Sequence, residues 1–149
     1  MKTLKVILFT LFLISTQSYS QVKVQQITYR IHDHYIATTI GYPIIGTYYS
    51  VGKKEPIIIL NADGTGMLQN EDLSKKNITW GIECDDAGVP EFKEGFNSAT
   101  YTFWYKLDNT EDWLYSQFSI HFNKKKMFIM GERVRDYEDE PEPQRTASK

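Results

Sequence analysis

The chain has 149 residues, with 17 Lys and Arg against 19 Asp and Glu and a formal net charge of −2. That length builds one domain around one core. A mildly acidic chain without a basic stripe argues against nucleic acid and against electrostatic binding to anionic lipid, and 14% aromatic with 24% charged residues marks a folded chain rather than a disordered one.

Residues 1–20 read as a secretory signal peptide. Met1 to Lys5 is a short basic start, Val6 to Ile14 is a nearly unbroken apolar run, and Ser18 and Ser20 hold the small-residue positions before a cut after Ser20. The apolar run is nine residues, too short for a hydrocarbon core that needs about 20. Removing the leader leaves 129 residues with 15 basic and 19 acidic side chains, a net charge of about −4. The expected product is periplasmic or extracellular, without stable membrane insertion. Cys84 is the sole cysteine, so no intrachain disulfide forms, and it reads as a small buried apolar residue.

The mature chain carries a period of two. Candidate strands cover 22–31, 35–40 and 44–51, and the first two are readable as one bent strand. A hairpin follows, Pro56 to Leu60 and Thr65 to Leu68, turning on Asn61-Ala62-Asp63-Gly64 in a type I turn with a Gly bulge. Residues 77–83 form the next strand. Residues 84–98, rich in Asp, Gly, Glu and Pro, read as a long surface loop.

Tyr101, Phe103, Tyr105 and Leu107 then alternate with Thr102, Trp104 and Lys106. Leu114, Ser116, Phe118, Ile120 and Phe122 share one face of the following run, with Trp113, Tyr115, Gln117, Ser119 and His121 on the other. A second hairpin joins that run to a strand over 127–135; a Lys124-Lys125 turn sets Phe122 against Met127 and Ile120 against Ile129. Residues 137–149 read as a disordered acidic tail, since nothing there supplies apolar surface to bury beyond Tyr137.

About nine short antiparallel segments with tight turns predict an all-β domain over 21–136, an up-and-down barrel of about eight strands. Ile45-Gly46-Thr47-Tyr48, the run Ile59 to Gly66, Ile78-Thr79-Trp80-Gly81-Ile82 and the hairpin around Asn123 to Lys126 together resemble small bacterial secreted lipocalin-like domains. The resemblance spans roughly residues 44–137. Tyr48 stands where Trp is commoner in that group, and 84–98 is a longer insertion. Many members have no assigned activity, so the resemblance implies a fold and no defined role.

Chemistry-bearing groups are sparse. His32 and His34 share one strand face in the spacing of a metal-chelating pair, but the one remaining histidine, His121, offers no recognisable third-ligand spacing. Glu83, Asp85 and Asp86, and again Asp108, Glu111 and Asp112, form acidic clusters without the spacing of a calcium loop. No Gly-x-Ser-x-Gly element, phosphate loop or Cys–His signal appears. The chain is therefore read as a non-enzyme without catalytic residues, metal site or cofactor.

Aromatic rings carry the remaining content. Tyr48, Trp80, Tyr101, Phe103, Tyr105, Phe118, Ile120 and Ile129 are the expected lining of a barrel that takes a small apolar or aromatic ligand. The alternative is a filled barrel that binds another protein through outward rings such as Trp113 and Tyr115.

Overall fold

Turn chemistry sets the strand register. In the computed structural model, which describes residues 22–122 and 126–135, Gly64 N–H donates to Asn61 O (3.1 Å) and Asn61 N–H to Thr65 O (2.9 Å). Gly64 takes a φ of 85°, which completes the expected type I turn and bulge. Asp63 locks the turn by accepting from the Thr65 N–H and hydroxyl, and those bonds hold its carboxyl below the ordinary carboxylate range.

Residues 70–74 repeat the device. Leu73 N–H donates to Asn70 O, Asn70 N–H to Ser74 O, and Asp72 accepts from the Ser74 N–H and hydroxyl. Leu73 occupies the glycine position at φ 66°, exposed to solvent. A side chain in the left-handed region costs about 1–2 kcal/mol. Leu73→Gly is expected to stabilise the protein by about 1 kcal/mol, a rise of about 4 °C in Tm. A thermal melt with an unchanged midpoint would show that the turn stores no strain. Asp85 to Val89 forms a third turn of this kind, with Gly88 at φ 84°.

Eleven strands result among the described residues: β1 (Gln25–Tyr29), β2 (His32–Ala37), β3 (Gly46–Ser50), β4 (Ile58–Leu60), β5 (Thr65–Gln69), β6 (Lys75–Cys84), β7 (Phe92–Gly95), β8 (Ser98–Leu107), β9 (Leu114–His121), β10 (Lys126–Ile129) and β11 (Glu132–Arg135). All pairings are antiparallel. β3 to β6 form one meander and β8 to β11 another. β6 pairs with β8 and β3 with β11, which closes an eight-stranded barrel.

The other three strands lie outside that closure. β6 is long enough to serve two neighbours on one edge. Its first half pairs with β5, Trp80 N–H donates to Gly64 O, and its last residues pair with β2, which carries β1 beyond it. On the opposite edge Glu83 O accepts from Glu91 N–H, and β7 then pairs with β8.

Several expectations are corrected. Residues 22–31 and 35–40 are a hairpin with a tight turn at Arg30-Ile31, not one bent strand. The segment 84–98 is not only loop, since it holds the Asp85 turn and β7. Residues 127–135 break at Met130-Gly131, both at positive φ, into β10 and β11. Met127 faces Ile120 and Ile129 faces Phe118, two residues away from the expected register. A two-residue slip keeps the same side chains inward, so apolar matching alone does not distinguish the two pairings. Residues 1–21, the tip 123–125 and the tail from 136 onward, where the leader, lysine turn and acidic tail were expected, lie outside the described residues.

Alternation now fills the barrel. Inward residues of every barrel strand meet in one cluster that includes Tyr48, Ile58, Leu60, Ile78, Ile82, Phe103, Phe118 and Met127. Ile40 and Ile44, from the segment between β2 and β3, plug one end of it, and the Tyr48 hydroxyl donates to Ile44 O to pin that segment. A second, smaller cluster lies on the outside: Ile27 and Ile36 of the β1–β2 hairpin cover Trp104 and Trp113, with Tyr29 at its margin.

Candidate binding site

The structure brings the expected lining residues together. Tyr48, Trp80, Tyr101, Phe103, Phe118, Ile120 and Ile129 all point inward and are buried, and Tyr105 lies half-buried at the end away from Ile40 and Ile44. They are each other's packing partners. Trp80 stacks on Phe103 (6.1 Å, 25°), Phe103 on Tyr105 (5.7 Å, 24°), and Tyr101 meets Phe118 at 6.3 Å. The Trp80 indole N–H is satisfied by Thr65 O (2.9 Å). Burial pushes the Tyr101 and Tyr105 hydroxyls above their ordinary range. Tyr48, Phe103, Phe118 and Ile120 retain 0% of their accessible surface. A void large enough for water would expose the walls that line it, so these residues enclose packed side chains.

The outer wall holds a different arrangement. Gly81 sits mid-strand in β6, and a Cβ there would stand 2.8 Å from Ile36 Cβ. Its missing side chain lets β2 lie against the barrel. The hairpin is fastened next to that point. Glu83 places one carboxylate oxygen 2.7 Å from His34 Nδ1 and accepts the Trp104 indole N–H on the other at 3.1 Å. Around this carboxylate the rings touch in sequence. His34 lies 4.7 Å from Trp104, Trp104 5.2 Å from both Tyr29 and Tyr115, and Tyr29 5.6 Å from Tyr115. Arg30 caps the Tyr29 ring at 5.2 Å. Trp104 and Trp113 are buried beneath the hairpin, which removes Trp113 from the expected exposed patch, whereas Tyr115 is 58% exposed.

The other candidates separate. His34 is engaged by Glu83 while His32 is exposed, and among the described residues no group of three His, Cys, Asp or Glu is placed to hold a metal ion. Asp85 is used in its turn, and Asp86, Asp108, Glu111 and Asp112 are exposed. Among the described residues no helix is long and apolar enough to cross a membrane.

Cys84 is buried, and that burial, reinforced by Asp85, Glu91 and Glu83, pushes its thiol up to about 11. The thiolate is the reactive form. The native protein at pH 8 is therefore expected to react with a disulfide reagent at least about 100-fold more slowly than the urea-unfolded chain. Equal rates would place the thiol at the surface.

Sequence reading named Tyr115, Trp104, Glu83 and His34 separately and left Tyr29 out. The signal that joins them is strand parity, which puts Trp104 and Tyr115 outward on neighbouring strands; what covers them depends on the hairpin's path. Compared with protein-family models, with curated proteins and with solved structures, the chain matches none, so its closed eight-stranded antiparallel barrel stands without an identified family.

Proposed function

We propose that the chain is an exported binding module that engages another protein through the ring cluster of its outer wall. The observation that carries this reading is Tyr115, a 58% exposed ring held against Tyr29 and Trp104, with Trp104 fixed in turn by Glu83. Binding energy concentrates on such aromatic anchors because their position is already fixed before contact, so little side-chain entropy is lost. Use of the barrel interior as a ligand site is disfavoured by rings that have no free surface to offer.

Two assays on residues 21–149 test the proposal. Panning a random-peptide display library is expected to enrich binders that lose at least about tenfold in affinity on Tyr115→Ser, with the melting temperature unchanged. Binders indifferent to Tyr115→Ser would overturn the ring reading. Saturable one-to-one binding of a fluorescent fatty acid would move the function to the interior.

A further inference from the structure

We infer that the partner is an extended segment that adds as a strand to the free edge of β1. This rests on the ring-face reading above and names the partner's form.

Closing a barrel removes sheet edges, and among the described residues this chain restores two by placing strands outside the closure. The two are built differently. β7 is four residues long, ends on Gly95 and carries Lys93 and Glu94, the short charged build that discourages pairing. β1 reads Gln25-Gln26-Ile27-Thr28-Tyr29, with no charge, no proline and no glycine.

The direction of its backbone groups follows from the ladder. Trp80 N–H points toward β5, so residues 82 and 84 point to the same edge, where β2 lies. Tyr35 and Ala37 therefore bond to β6, and His34 and Ile36 bond back to Ile27 and Gln25. Gln26 and Thr28 are left with N–H and C=O directed away from the sheet. These are the groups an added antiparallel or parallel strand uses.

Side chains supply the rest of the fit. Trp104 makes ring contacts with both strands of the hairpin, Tyr29 of β1 at 5.2 Å and His34 of β2 at 4.7 Å, whereas among the described residues Tyr115 meets the hairpin only at Tyr29, at 5.6 Å, so the exposed ring lies toward the free edge. An added strand continues the face that bears Ile27 and Tyr29, and its alternate side chains meet Tyr115. Exposed Lys23 and Arg30 flank β1, while Asp33 across the ladder is occupied by the Thr28 hydroxyl at 3.0 Å. The segment that fits has apolar residues at alternate positions and acidic residues at its ends.

Peptides selected on the wild-type chain provide the probe. Gln26→Pro deletes an N–H from the free edge and leaves the β1–β2 bonds intact. At least about tenfold weaker binding with an unchanged melt is expected. Full binding by Gln26→Pro, together with loss on Tyr115→Ser, overturns the edge and leaves the ring face standing. Indifference to both overturns both readings.

A second measurement does not depend on the variant folding. In the wild-type complex the Gln26 and Thr28 amides should exchange at least about tenfold more slowly than in the free protein. No slowing overturns the proposal. A concentration-dependent dimer in light scattering that Gln26→Pro converts to monomer would assign the edge to a second copy instead and overturn the proposed segment.

Discussion

Trp80→Ala is expected to cost about 3–5 kcal/mol, a large share of the roughly 5–15 kcal/mol that holds a domain of this kind folded. Trp80 keeps 1% of its surface, stacks on Phe103 and donates its indole N–H to Thr65 O. Truncation removes the ring, leaves a cavity the closed barrel cannot collapse to fill, and strips the Thr65 carbonyl of that partner. Urea denaturation followed by circular dichroism checks it. The magnitude also decides between a filled and a hollow interior. A ring that lines open space loses few contacts when removed, so a cost near about 1 kcal/mol would contradict the packed core and favour a ligand chamber.

Gly81→Val should detach the β1–β2 hairpin while leaving the barrel closed. The first added carbon alone would stand 2.8 Å from Ile36 Cβ and 2.9 Å from its Cδ1, and Ile36 is itself buried. Overpacking of this sort costs about 1–3 kcal/mol, and the hairpin's docking is what yields, since β2 meets β6 over only three residue pairs. Trp104 and Trp113 then gain water. The expected readout is a red shift of tryptophan emission with faster amide exchange over residues 25–37 and unchanged protection of β8 and β9. Emission that stays put would mean that the hairpin tolerates the side chain. The same variant should lose the peptides selected on the ring face, because Tyr29 leaves with the hairpin.

Much of the barrel was legible because alternation is local. Tyr101, Phe103 and Tyr105 against Thr102 and Trp104 state which side faces inward, and Asp63-Gly64 states where the chain reverses. The less legible parts depend on distant events. The pairing of 126–129 with 118–121 is set by the length of the connection, and a slip of two residues preserves every face. β7 carries little apolar surface, so it forms on the template of β8 rather than by its own pattern. The outer ring cluster was least legible. Tyr29, His34, Glu83, Trp104 and Tyr115 are scattered along the sequence and meet because Gly81 lacks a side chain, a reason no periodicity records.

The two seams of the barrel are unequal. β6 meets β8 over five residue pairs, whereas the described part of the β3–β11 seam is two, Tyr49 with Arg135 and Ser50 with Val134, joining positions more than eighty residues apart. Every other neighbouring pair in the closed ring is adjacent or nearly adjacent along the chain. A polypeptide threading out of a pore or pulled from its carboxyl end therefore has a natural zipper: both meanders assemble early, the long-range join comes last, and under tension it is the first line to part.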